Sequence, residues 1–147
     1  MSNEINIKAI FLKESSLEIP ESPDIFFNTS NEVVTELNCT SSFSSFEINN
    51  EDNYEITLAL ELIAKDKTYN KILYILNFIY SGFFSLKNYT KQEEIDEALA
   101  VDCPNIIFPY ARQYVSTITG LTSLPVSLIQ DINFKKLYYN EIGKEYK

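Results

Sequence analysis

The stretch Tyr54-Glu55-Ile56-Thr57-Leu58-Ala59-Leu60-Glu61-Leu62 is the clearest strand in this chain of 147 residues. Tyr54, Ile56, Leu58, Leu60 and Leu62 alternate with Glu55, Thr57 and Glu61, the period of a strand with one face on a core. Residues 66–70 turn the chain, and residues 72–80 are then apolar at both parities, which predicts a strand covered on each side. Upstream, Val33, Thr35, Leu37 and Cys39 alternate in the same way. The Ser-rich run at 41–45 reads as a strand end or a loop, and residues 49–53 read as a turn. Ile5, Ile7, Ala9 and Phe11 make a first strand. Between the first two strands, residues 14–31 carry Pro20, Pro23 and several Ser and Asn. Proline cannot donate to a central ladder, so this is a long irregular connection, and long loops inside compact domains are often functional. Strands otherwise joined by short turns point to an antiparallel sheet.

The second half reads as helices. Thr90 and Glu93 stand at capping-box spacing, which predicts a short helix from residue 91 to about residue 100. Pro104 and Pro109 interrupt the next segment, and Pro109 suits the first turn of a new helix. On that helix Tyr110, Ala111, Tyr114, Val115 and Ile118 share one face, and Gly120 ends it. Asn133 is placed to cap a last helix with the apolar stripe Phe134, Leu137, Tyr138 and Ile142. Strands first and helices afterwards make an α+β chain: a four-stranded antiparallel sheet with helices packed on one face. No repeat or linker divides the chain, so a single domain over residues 1–147 is expected.

Composition narrows the chemistry. The chain has no histidine, which removes Ser-His-Asp and Cys-His catalysis and the commonest metal ligand. Two isolated cysteines, Cys39 and Cys103, cannot build a structural zinc site and are read as free thiols. Three glycines, at 82, 120 and 143, cannot form a phosphate-cradling loop. The acidic pairs Glu93–Glu94 and Asp96–Glu97 read as a solvated helix face. No catalytic group, metal or cofactor is therefore expected, and the chain is read as a non-enzyme. A net charge of −9 with no basic run argues against nucleic acid, while acidity keeps a protein soluble and attracts basic partners. Ten Tyr and ten Phe without Trp fit a β-rich core or a surface that receives apolar side chains of a partner. The N-terminus lacks a signal-peptide pattern and residues 72–84 are too short and polar to span a membrane. A cytoplasmic location without membrane insertion is expected.

Two segments carry a resemblance. Lys13-Glu14-Ser15-Ser16-Leu17-Glu18-Ile19-Pro20-Glu21-Ser22-Pro23 resembles a pattern of base, acid, short alternating run, acid, then Pro-x-x-Pro. Cys103-Pro104-Asn105-Ile106-Ile107-Phe108-Pro109-Tyr110-Ala111-Arg112 is the more specific of the two. Tyr54-Glu55, Gly82-Phe83-Phe84-Ser85 and Asn133-Phe134 agree in order and spacing. Together they resemble the SecB family of protein-export chaperones over nearly the whole chain.

The resemblance implies a holdase that binds unfolded preproteins, keeps them competent for translocation and passes them to the SecA ATPase. It also implies a homotetramer built as a dimer of dimers, with Tyr110, Tyr114 and Ile118 at subunit contacts. It places a client groove between the long connection and the C-terminal helices. Ile25, Phe26 and Tyr74, with Leu137 and Tyr138, are the expected client contacts. Aromatic side chains suit such a surface because they offer large contact area at low entropy cost. The SecA-facing surface implied is acidic: Glu14 and Glu18, four apart on an extended segment and so on one side of it, with Ile75 and Asn77. Asn77 stands where the family has an acid, and Ser30 stands about where it has a Trp. A SecB-like chaperone dedicated to one client, such as an antitoxin, is the closest competing reading. A small-molecule carrier would need a pocket with convergent polar groups, and no such cluster is legible.

Overall fold

The computed structural model describes residues 2–143. Four long strands, β1 (Glu4–Glu18), β2 (Val33–Ile48), β3 (Glu51–Asp66) and β4 (Ile72–Lys87), form one antiparallel sheet in the order β1-β4-β3-β2. A one-turn helix, α1 (Asp24–Phe27), lies in the connection from β1 to β2. The helices α2 (Gln92–Glu97), α3 (Cys103–Thr119) and α4 (Phe134–Glu141) follow the sheet.

All four strands outrun the pattern in their sequences. The first continues to Glu18, so the irregular connection is residues 19–32 and not 14–31. The Ser-rich run belongs to β2, which pairs with β3 without a register break from Val33 opposite Asp66 to Ile48 opposite Glu51. The hairpin turn between them is only Asn49 and Asn50, at φ 54° and 63°. A two-residue turn with both φ positive matches the twist of its strands, and Asn tolerates that region better than most residues. Ladder hydrogen bonds to a strongly patterned neighbour explain the extension: β3 supplies a partner at every position that β2's own composition leaves ambiguous.

Directly opposed residues share a face of the sheet. Ile56, Leu58, Leu60 and Leu62 of β3 lie opposite Gly82, Tyr80, Phe78 and Leu76 of β4. These four β3 side chains are buried, and they join one core with Ile107, Phe108, Ala111 and Val115 of α3. Each such burial is worth about 1.5–3 kcal/mol. Gly82 is required there, because a Cβ would stand 2.7 Å from the Phe84 ring and 3.2 Å from the Ala9 carbonyl oxygen. On the opposite face Thr57, Ala59, Glu61 and Ile63 are half-exposed. There the cover expected for β4 is partial: Ile75 and Ile79 are half-buried, and Asn77 is exposed.

The helical half departs from expectation at its prolines. Lys91, not Thr90, occupies the N-cap of α2, and no side chain caps it. A π-helical segment, Ala98–Asp102, then carries α2 into α3 without a break. Pro104 sits in the first turn of α3, where its missing N–H costs nothing. Pro109 lies inside α3 on its exposed side. An interior proline costs about 3 kcal/mol or more; burial of Cys103, Ile107, Phe108, Ala111 and Val115 on the other side of the same helix offsets it. Asn133 does cap α4, accepting from the Lys136 N–H at 3.0 Å.

Candidate binding surfaces

One surface is a groove of about 530 Å³ beside β2, with apolar side chains and small hydroxyls on its lining. Cys39, Thr40, Ser41, Ser42 and Phe43 form one wall, and Leu99, Ala100, Phe134, Leu137, Tyr138 and Glu141 form the other. The groove exists because α4 spends its apolar stripe unevenly. Phe134 is buried and meets the Phe108 ring edge-on at 5.9 Å. Leu137 stays 54% exposed and Phe43, across the groove, 53%. The phenol of Tyr138 is pushed up by burial and then by Asp96, Glu97, Glu93 and Glu141 around it. An apolar floor in acidic surroundings is what these residues build.

The expected client contacts divide. Leu137 and Tyr138 line this groove. Phe26 is 40% exposed on α1, with Phe27 beside it more open still. Ile25 and Tyr74 are fully buried, so neither side chain is open to a client in this chain. The Tyr74 hydroxyl donates to the Pro125 carbonyl at 2.8 Å and also contacts Ser127. It thereby ties β4 to the segment between α3 and α4. Phe43, Leu99 and Cys39 are groove residues that sequence reasoning missed. Phe43 lay in the Ser-rich run whose conformation was ambiguous, and the alternation Cys39, Ser41, Phe43 is the signal that could have found it.

The connection between β1 and β2 is held down by carboxylates. Asp66, 1% exposed at the end of β3, accepts from the Thr29 hydroxyl at 2.7 Å, the Ser30 N–H at 2.7 Å and the Ser30 hydroxyl at 3.0 Å. It also accepts the N–H groups of Thr68 and Tyr69 at 3.0 and 2.9 Å. Burial pushes its pKa up, but the bonds from Tyr69, Thr29 and Ser30 outweigh that and hold the carboxyl well below the usual range. Glu21 accepts the Ile72 N–H, and Asp24 pairs with Lys71. Ser30 thus serves as a polar latch.

A second surface is the opposite face of the sheet. Glu14 lies opposite Ile79, Ser16 opposite Asn77 and Glu18 opposite Ile75. Register breaks in this pairing fall before Glu14, so Glu14 and Glu18 share a side. The structure therefore brings Glu14, Glu18, Ile75 and Asn77 together. Glu61 of β3 stands directly opposite Asn77 and adds an acid that the sequence reading did not include. An open concavity of about 630 Å³ runs over Ala59, Asn77 and Ile79, with Glu14 and Glu61 on its lining.

A third is an aromatic strip at the β1 side of α3. The Tyr80 ring lies 6.4 Å from Tyr110 and 6.3 Å from Tyr114, and Phe78 lies 5.0 Å from Tyr114. Tyr110 is 50% exposed, Tyr114 and Ile118 are half-buried, and the Tyr114 hydroxyl contacts Ser15. Leu12, opposite Tyr80, continues the strip toward the sheet edge. Among the described residues no helix is long and apolar enough to cross a membrane, and no three His, Cys, Asp or Glu side chains group as a metal site.

The family described as preprotein translocase subunit SecB matches residues 1–145. The chain is 32% identical over 143 residues to the protein-export protein SecB of Methylobacillus flagellatus, covering 96% of this chain and 85% of that one. It is 30% identical over 135 residues to that of Alcanivorax borkumensis, covering 92% and 83%. In fold it is similar to a SecB-like chaperone of Mycobacterium tuberculosis solved with a ChAD peptide from the HigA1 antitoxin. That likeness has a TM-score of 0.70 at 16% identity and covers 87% of this chain and 90% of the other. With the two motifs, the sheet and the helices in agreement, the chain belongs to the SecB family of preprotein translocase chaperones.

Proposed function

We propose that this chain is a cytoplasmic holdase of protein export: it binds unfolded preproteins, keeps them translocation-competent and delivers them to the SecA ATPase. The observation that carries this reading is the open groove between β2 and α4, with Phe43 and Leu137 each about half-exposed across it. A surface that must hold many sequences needs exposed apolar area, and Phe43, Leu99, Leu137 and Tyr138 supply it beside the small hydroxyls of Thr40, Ser41 and Ser42. Phe26 and Phe27 extend the apolar surface at α1. Ile25 and Tyr74 support it from below by fixing the connection and β4. The acidic face of Glu14, Glu18 and Glu61 around Ile75 and Asn77 suits a basic segment of SecA. The strip of Leu12, Tyr110, Tyr114 and Ile118 suits self-association into the homotetramer.

The test is light scattering behind gel filtration, with the protein alone and after mixing with a denatured preprotein diluted into buffer. A tetramer that elutes with the unfolded chain, and ignores the same chain once folded, supports the holdase. A monomer or dimer that lets the unfolded chain aggregate overturns it. A chaperone dedicated to one client such as an antitoxin is the second reading. Asn77 in place of an acid on the SecA-facing surface favours it, and it predicts protection of one partner only.

A further inference from the structure

We propose that the outer face of the sheet carries a small-molecule site at its forked end. Phe46, Phe83 and Ile48 wall a pocket for a zwitterion with an aromatic body, its carboxylate on Lys8 and its ammonium on Glu51 and Asn53. The site is separate from the groove beside α4 and from the acidic surface, and it stands whether or not the chain is a holdase.

The two halves of the sheet part at this end. β3 meets β4 only from Tyr54 opposite Phe84. Beyond that point residues 51–53 stay paired with β2, and residues 85–87 stay paired with β1. The fork opens a concavity of about 480 Å³, inside the size range of small-ligand pockets. Phe83 lies opposite Glu55 and Ala9, which sets it on the face of Thr57, Ala59 and Glu61, away from the helices. Asn77 is six residues back along β4, about 20 Å away at the rise of a strand.

The walls are aromatic. The Phe46 and Phe83 rings meet edge-on at 5.7 Å, and Phe11 backs Phe83 at 5.2 Å. Ile48 is 55% exposed on the same lining. A flat apolar body seated there covers side chains that the fold leaves in water, and its ring contacts add to the area buried.

The polar groups are few and unspent. Asn53 is 7% exposed on the pocket lining. Its amide nitrogen donates to the Glu51 carbonyl at 3.1 Å, which leaves its oxygen as an acceptor. Among the described residues no fully buried side-chain oxygen lacks a partner, so this one is open to the pocket. Glu55 is engaged by Lys13 at 2.8 Å. Lys8 and Glu51 are exposed and belong to no ion pair among the described residues. One cation and one anion beside an aromatic floor select a ligand that carries both charges. A purely basic ligand would leave Lys8 facing a like charge, and a purely acidic one would meet Glu51 on a chain of net charge −9. A free aromatic amino acid has the ring, the carboxylate and the ammonium.

The experiment titrates the full chain with L-phenylalanine, read by residue-resolved NMR shifts and by calorimetry. Saturable shifts should centre on Phe46, Asn53 and Phe83 and leave Leu137 and Tyr138 unmoved. Lys8→Gln and Glu51→Gln, both at exposed positions, should each weaken binding about tenfold, the worth of one hydrogen bond to a charged group. Phenylalaninamide and N-acetylphenylalanine each lack one of the two charges, and each should bind about tenfold more weakly than the amino acid. No saturable shift at the pocket, or shifts confined to Leu137 and Tyr138, would overturn the site. Saturable binding that both substitutions leave unchanged would overturn the assignment of the two charges. Equal binding of the N-acetyl compound would give the pocket to the carboxyl end of a polypeptide and overturn the zwitterion.

Discussion

The two edges of the sheet are built on opposite rules. Along β1 the pairing slips twice, between Ile7 and Ala9 and between Leu12 and Glu14. The residues at the slips are Lys8 and Lys13, and Lys13 reaches across to Glu55 at 2.8 Å. A bulge twists an edge and a lysine makes it costly to cover. Along β2 there is neither, and half of its exposed side chains are Ser or Thr. β1 is thus an edge whose flat pairing is interrupted, whereas β2 keeps sixteen residues in continuous register. The contrast teaches that apolar exposure alone does not define a binding surface. Leu12 and Ile7 on β1 are as open as Val34 on β2, but only β2 combines an uninterrupted ladder with a groove.

The edges are joined by residues 19–32, so breaking that connection should have the largest effect. Ile25 is fully buried at its centre. Ile25→Ala should cost about 2–5 kcal/mol in urea unfolding, the range for emptying a buried aliphatic site. A cost under about 1 kcal/mol would mean the connection is not seated as described. Next comes Tyr74→Phe, which removes the donor to Pro125 but keeps the ring. Leaving that acceptor unpaired should cost about 1–3 kcal/mol. Client binding should weaken only as far as the α3–α4 segment loosens, so calorimetry with an unfolded client peptide separates support from contact.

Those two residues also mark what the sequence could disclose. The order of strands and helices, the half-covered β3 and the Asn133 cap were legible because periodicity and capping are local. The length of β2 was not, because Ser41, Ser42, Ser44 and Ser45 have weak preferences that only pairing with β3 resolves. The unbroken run from α2 to α3 was hidden by Pro109, whose cost is local while its compensation is tertiary. Glu14, Glu18, Ile75 and Asn77 were placed on one surface through resemblance and strand parity, and the register does bring them together. Ile25 and Tyr74 are expected contacts through the resemblance, and a matched apolar position does not distinguish a groove wall from a core; both side chains are buried. Glu61 escaped notice because its neighbour Asn77 lies one strand away.

A milder change sharpens the comparison by giving β2 what β1 has. Ser42→Lys places a lysine on the open edge, in the groove wall, at an exposed position. Stability should stay within about 0.5 kcal/mol, as for most surface changes. Affinity for an unfolded client peptide should fall if the groove holds its side chains, because a charge in the wall would then have to lose water. Glu14→Gln with Glu18→Gln should leave that affinity untouched and weaken SecA binding in a salt-dependent way, because they lie on the other face. Loss of peptide binding in the Glu14/Glu18 variant would show that the two surfaces are not separate.

The smallest effect is read from the two thiols, one on each side of the contrast between groove and core. Both cysteines are free; Cys39 is half-buried on β2 and Cys103 is buried at the start of α3. Burial pushes Cys39 up to about 11. Burial, with Asp102 beside it, pushes Cys103 up to about 12. Since a thiolate is the reactive form, both should alkylate far more slowly at neutral pH than an unfolded thiol. A raised value means the folded state holds the proton more tightly than the unfolded chain does. The resulting stability is complete below the unfolded value of 9.0 and is lost as pH rises toward 11 for Cys39 and 12 for Cys103. Urea midpoints should therefore fall in alkali, and less steeply in a Cys39→Ser, Cys103→Ala variant, which cancels the contribution of tyrosine ionisation common to both. Bound peptide should slow alkylation of Cys39 further and leave Cys103 as it was, because only Cys39 lines the groove. Equal slowing at both would place the peptide's effect in global stability and remove Cys39 as a witness to an occupied groove.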